Sequence, residues 1–163
     1  DVVIDSTDLT IWDLRRAGGE TRVASTRRVQ LEVVFISFGF KHGVPRDVDL
    51  MFDVRFLKNP YYEPGLAPLT GRDEPVITYL ENVEGMHEFI ERLESMLDFL
   101  LPAYATEGKR HLVVAFGCTG GRHRSVRIAE LMAKRYSADN YAVSIEHRDI
   151  HRGNRAVDTE ATA

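Results

Sequence analysis

The chain has 163 residues, 44% of them hydrophobic, with 25 Asp and Glu against 21 Lys and Arg and a formal net charge of −4. That is enough apolar material for one compact domain with a single core, and a lone Cys excludes an internal disulfide and a Cys-based structural zinc. No apolar run approaches the roughly 18 residues of a membrane span and no signal-peptide pattern opens the chain, so a reduced, cytoplasmic protein is expected.

In chain order, "DVVID" at 1–5 predicts a short buried strand, Ser6-Thr7-Asp8 a capping cluster, and "LTIWDLRRA" a helix ended by Gly18-Gly19. A chain that opens in mid-strand is expected to be cut from something longer. "VQLEVVFISFGF" at 29–40 carries the strongest strand pattern, β-branched and aromatic up to a glycine, and "MFDVRF" at 51–56 predicts a second strand. The stretch 57–75 holds four prolines and two glycines. It predicts a long irregular loop, the kind that in a compact domain is functional or mobile.

Helix is expected to resume near Pro75, which suits a first turn. In "MHEFIERLESMLDFLL" the residues Met86, Phe89, Ile90, Leu93, Met96, Leu97 and Leu100 fall on one helical face, read as core. "RHLVVAFGC" predicts a further buried strand, the residues around Val126 to Met132 a helix, and "YAVSIEHRD" a last strand. The stretch from Gly153 is too polar to pack and is expected to be disordered. Strands alternating with helices predict an α/β layered domain with a mostly parallel central sheet flanked by helices.

Charge is unevenly distributed along the chain. Residues 45–100 contain 12 acidic and 5 basic side chains, whereas 105–155 contain 10 basic and 5 acidic. Such an asymmetry points to a localised anion-binding face. Charges spread around a solvated surface would give the same counts.

The chemistry concentrates in "GCTGGRHRS", 117–125, between a strand and a helix. In open α/β sheets ligands collect beyond the carboxyl ends of the strands. Gly120 and Gly121 let main-chain amides turn inward, and the helix N-terminus favours an anion. Cys118, Thr119 and Ser125 line the turn, and Arg124 offers a fork for phosphate. Donors without an acidic neighbour suit phosphate, although a tight connection with its Arg and His facing water would use the same residues. No Gly-Lys-Ser/Thr follows, so the turn is not a Walker loop.

Cys118, five residues, Arg124 and Ser125 also resemble the signature of cysteine-dependent phosphatases, in which a thiolate attacks phosphorus. Gly117 stands where that signature has His. A general acid would have to come from Asp47, Asp49, Asp53 or Asp73. This is the enzyme alternative, with Cys118 and Arg124 catalytic.

A second cluster, "SFGFKHGVPRDVD", ends the strongest strand in the same manner, with Gly39, Lys41 and His42. If the two strands are parallel, Lys41 and the Cys118 turn share one sheet edge. Arg55, Asn59 and Tyr61 begin the long loop, where amide, hydroxyl and ring groups could close over a sugar. Asp53 and Arg55 could equally form a structural ion pair. His147 and His151 fall on strand and coil, so no metal site is expected.

With "SFGFKHGVP", "DVRFLKNPYY", "LTGRDEPV" and "GCTGGRHRSV" in that order, the chain resembles the C-terminal domain of the RapZ family. These bacterial proteins are RNase adapters with an N-terminal P-loop nucleotide-binding domain. The resemblance implies that 1–28 is the remnant of a junction with an absent N-terminal domain, that 29–152 is the sugar-phosphate- and RNA-binding domain, and that 153–163 is a tail. ATP or GTP would belong only to the absent domain, and no cofactor to this one.

The implied function is regulatory: sensing a phosphorylated amino sugar such as glucosamine-6-phosphate, binding small regulatory RNA, and presenting it to an endoribonuclease, as a homo-oligomer away from membranes. Cys118, Thr119, Gly120 and Arg124 match the family's sugar-phosphate turn. Lys41, Arg122, His123 and Arg124 match positions where basic groups touch RNA. At Tyr61 the enterobacterial pattern has His, and Arg122 replaces Lys. No aromatic platform interleaves with basic residues along the chain, so RNA contact is expected through shape and charge.

Overall fold

The computed structural model describes residues 31–139 and 141–152. The predicted strand at 1–5, the helix after it and the tail from Gly153 lie outside the described residues. The order of elements is β1 (Glu32–Gly39), a 3-10 turn at Phe40–His42, β2 (Leu50–Asp53), a second 3-10 turn at Pro60–Tyr62, α1 (Glu74–Glu81), α2 (Met86–Glu107), β3 (His111–Cys118), α3 (Arg124–Ser137) and β4 (Ala142–His147). The four strands form one sheet in the order β2-β3-β1-β4, and every neighbouring pair is parallel. With its three flanking helices this is the α/β layered fold that alternating strands and helices imply.

The central strands β1 and β3 are apolar on both faces, as parallel strands flanked by helices must be. From them Val33, Phe35, Leu112, Val114 and Phe116 enter one core cluster with Val76 and Leu80 of α1, Leu93, Leu97 and Leu101 of α2, and Ile128, Met132 and Tyr136 of α3. The Phe35 ring lies between Phe116 and Tyr136, with centroids 6.2 and 6.1 Å away. Fully burying a side chain of this size contributes about 1.5–3 kcal/mol.

Several predicted boundaries move. β2 ends at Asp53 instead of residue 56. The Asp53 carboxylate turns back to accept the main-chain amide of Arg55 at 2.9 Å and its guanidinium at 2.6 Å, which closes a local turn. α2 runs past Pro102 to Glu107. Proline lacks one ladder donor, but burial of Leu101 beside it holds the helix in line. Met96, placed with the core face from its spacing, is exposed. The face that α2 buries follows Met86, Leu93, Leu97 and Leu101, and Met96 lies about 100° around the helix from Leu97.

A polar tie crosses the sheet edge. His147 on β4 sits between Ser37 Oγ at 2.7 Å and the Glu130 carboxylate of α3 at 3.1 Å. It joins β1, β4 and α3 where strand geometry alone would leave buried Ser37 without a partner.

Candidate functional site

Register brings the two predicted clusters together. Gly39 pairs with Cys118 across β1 and β3, and Asp53 pairs with Gly117 across β2 and β3. All three strands therefore end at one sheet edge. Beyond it, the Lys41 amide donates to Thr119 O at 3.2 Å, which seats the Phe40–His42 turn against the glycine turn.

The turn has no room for side chains at its narrowest points. Gly121 has φ +73, and a Cβ there would lie 2.6 Å from Gly39 N. The Gly39 amide is held from the opposite direction by buried Asp149, whose Oδ2 accepts it at 2.9 Å. Burial would push the Asp149 carboxyl upward. Hydrogen bonds from Arg148 and the Gly39 amide outweigh that and hold it below the ordinary range.

Below the turn, Cys118 is buried. Its Sγ accepts the Gly121 amide at 3.2 Å and lies 3.1 Å from Ser125 Oγ. α3 begins at Arg124 with no side-chain cap on its first turn. The first intrahelical bond runs from Arg127 N to His123 O, so the amides before it are the unpaired donors of a helix start.

The basic side chains of the turn also clamp the long loop. Arg124 is only 4% exposed. One Nη donates to the carbonyls of Arg55 and Leu57 at 3.0 and 2.7 Å, and the other to Thr119 Oγ1 at 3.3 Å. Its Nε is buried and has no hydrogen-bond partner among the described residues. Burial pushes the guanidinium pKa down, yet arginine stays charged. Arg122 donates to Pro68 O at 2.7 Å, and the His123 imidazole bonds Leu66 O at 3.1 Å through Nε2. Burial lowers the His123 pKa, so the ring is neutral near pH 7, with Nε2 as the protonated nitrogen.

These contacts fold residues 57–73 over the turn and enclose a pocket of about 330 Å³. Its walls include Lys41, Asn59, Tyr61, Cys118, Thr119, Gly120, Arg122, His123 and Arg124, all expected ligand or RNA contacts, and also Tyr62, Ala67 and Arg152. Of the other expected ligand residues, Gly39, Gly121 and Ser125 lie behind the lining as packing and hydrogen-bonding partners. Arg55 points elsewhere. It forms the anticipated ion pair with Asp53 at 2.6 Å and stacks over the Phe40 ring at 4.1 Å. The Arg55 side chain holds the Asp53 carboxyl below its usual range.

Four cationic side chains and no carboxylate line the pocket. Of the four candidate general acids, Asp49 is held by Lys109 and the Val113 amide at the opposite end of β3. Asp73 binds Thr70 before α1. Asp53 is committed to Arg55, and Asp47 is exposed. A histidine in place of Gly117 has no space, since a Cβ there would meet Phe38 and Phe40 at 2.5 Å. The pocket therefore offers what holds an anion and, among its lining groups, no carboxylic acid to protonate a leaving group.

Two features escape a reading along the chain. Arg152 reaches the pocket from beyond β4, within 3.2 Å of Asp149, and only the place of β4 beside β1 reveals it. Tyr61 and Tyr62 stand next to Lys41, Arg122 and Arg152 in space, so an aromatic surface does adjoin basic groups here.

The family model described as "RapZ C-terminal domain" matches residues 31–151. Among similar curated proteins, one named nucleotide-binding protein from Heliobacterium modesticaldum is 47% identical over 152 residues, covering 93% of this chain and 50% of that protein. Another of that name from Nitratidesulfovibrio vulgaris is 46% identical, covering 94% and 53%. A third, from Rubrobacter xylanophilus, is 48% identical, covering 94% and 51%. The chain spans about half the length of these relatives.

Proposed function

Because the chain belongs to the RapZ C-terminal domain family, we propose that it is a regulatory ligand-binding domain whose glycine turn holds the phosphate of an amino sugar phosphate. One observation carries the reading: Arg124, only 4% exposed, joins Lys41, Arg122 and Arg152 in a pocket wall that contains no acidic side chain. A largely buried cation without an opposite charge beside it in that wall is costly, and a phosphate would supply the missing charge. Thr119 Oγ1 already accepts from Arg124, so its hydroxyl proton is available to a ligand. The start of α3 adds amides and a favourable dipole.

Asn59 and Tyr61 line the same pocket, and their amide and phenol can hydrogen-bond a hexose attached to that phosphate. The glucosamine-6-phosphate class fits a pocket of this volume. Small RNA would bind over the rim through Lys41 and Arg122, for presentation to an endoribonuclease by a cytoplasmic homo-oligomer. The domain is read as a binding module and not an enzyme. The nucleotide function in the relatives' names is assigned to the half of those proteins that this chain does not span, since no Walker loop occurs in it.

Calorimetry with glucosamine-6-phosphate, glucosamine and inorganic phosphate tests the reading. Binding of the sugar phosphate above either fragment is expected, and equal negligible heats for all three would remove the sensor.

A further inference from the structure

Asp149 is fully buried and packs against the glycine turn, where a Cβ on Gly121 would come within 2.9 Å of its own Cβ. Its Oδ2 accepts the Gly39 amide at 2.9 Å and the Arg148 guanidinium at 2.6 Å. Arg148 also donates to Gly43 O at 2.6 Å. The turn after β4 thus braces both ends of the segment that carries Lys41. A carboxylate buried this deeply is retained at a cost, and these contacts occupy only one of its oxygens.

The other oxygen, Oδ1, makes no hydrogen bond among the described residues and lies 3.2 Å from Arg152 Nε. The Arg152 amide donates to Asp149 O at 3.0 Å, which closes a turn between the two residues. The Arg152 side chain is 58% exposed, yet it lines the pocket from which Asp149 is absent. With Nε drawn to the carboxylate behind the wall, the two terminal nitrogens of the fork are left to serve the pocket. A half-exposed arginine without such an anchor would spread over many rotamers. Ordering it before the ligand arrives spares binding that entropy. Arg148 balances the carboxylate, so the charge of Arg152 is not cancelled.

We propose that Asp149 is a positioning residue for the sugar phosphate: it aims the Arg152 guanidinium at the ligand's phosphate. The proposal rests on the sugar-phosphate reading above. It adds to that site a cation from beyond β4 and the buried carboxylate that orients it.

Calorimetry of the 163-residue chain with glucosamine-6-phosphate tests this as a double-mutant cycle. Asp149→Asn can keep a carbonyl oxygen on the Gly39 amide and Arg148 while turning its amide nitrogen toward Arg152. It therefore removes the attraction to Arg152 and spares the brace. Arg152→Ala is expected to weaken the sugar phosphate about tenfold, and Asp149→Asn about threefold. In the Arg152→Ala background, Asp149→Asn should add less than about twofold, because the group it aims is gone.

A carboxylate that acted only by supporting the turn would cost the same in both backgrounds, and that additivity would overturn the positioning role. Arg152 is exposed enough for Arg152→Ala to fold whatever Asp149→Asn does, as thermal unfolding will report. Unchanged affinity in Arg152→Ala would by itself overturn the proposal and leave the sugar-phosphate reading standing. A parent that gives no heat with the sugar phosphate would remove both.

Discussion

A Cβ on Gly121 would stand 2.6 Å from the amide nitrogen of Gly39, and one on Gly39 would stand 2.5 Å from the carbonyl carbon of Gly120. The ends of β1 and of the glycine turn are thus in main-chain contact, which places Lys41 on the rim of the Cys118 pocket. Gly121→Ala should cost about 3 kcal/mol or more, because left-handed strain and backbone overlap add. Gly108→Ala, left-handed with φ +97 but with nothing within 4 Å of an added Cβ, should cost only the strain, about 1–2 kcal/mol. Urea denaturation of the two variants separates the terms, and equal losses would mean the contact is slack.

Arg124→Lys removes a planar fork that spans two loop carbonyls and Thr119 Oγ1. An ammonium cannot reproduce that geometry. Each carbonyl left buried without its donor costs about 1–3 kcal/mol, so we expect lower stability together with loss of glucosamine-6-phosphate heat. Cys118→Ser can still accept the Gly121 amide and should keep both fold and ligand. Neither protein should hydrolyse an aryl phosphate faster than buffer. Turnover by the parent that disappears in Cys118→Ser would restore thiolate chemistry.

The strand-to-helix turn was legible because its ingredients are local: an apolar run, paired glycines and a basic segment lie within residues 112–125. Parallel pairing of β1 with β3 then puts Lys41 beside Thr119, a relation inferable from topology alone. The long loop was legible only as irregular. Its path depends on distant partners, Leu66 O meeting His123 and Pro68 O meeting Arg122, and no local pattern encodes which carbonyl finds which cation. Arg152 enters the site for the same reason, through β4 lying beside β1. Met96 shows the limit of helical spacing, because a wide apolar stripe does not say which of its margins the sheet covers.

Salt dependence distinguishes a phosphate-tracking rim from incidental attraction. For single strands each neutralised phosphate contributes about 0.7 to the slope of log K against log salt. Lys41→Ala with Arg122→Ala should lower that slope by about 1.4 while weakening binding. Lys109→Ala is the control. That ammonium is bound to Asp49 at 2.6 Å before β3, at the end of the sheet remote from the pocket. Its loss should leave the slope unchanged in anisotropy titrations, and an equal effect from both variants would spread RNA binding over the whole surface.

His123 should make the site acid-sensitive. Burial holds its folded-state pKa below the ordinary value of 6.5, with Arg122 adding to the effect and the bond to Leu66 O opposing it. The unfolded chain therefore binds a proton that the folded chain resists, and stability rises with pH through that interval. Its contribution is complete above about pH 6.5 and is lost as pH falls toward the depressed folded value. Comparing urea midpoints between about pH 7.5 and pH 5 should show a smaller acid loss in His123→Gln than in the parent. The carboxylates titrate in both proteins and cancel in the difference. A bound phosphate beside the ring favours its protonated form, so saturating ligand should shrink the parent's pH dependence. Identical pH dependence of parent and variant would show that the imidazole does not resist protonation in the fold.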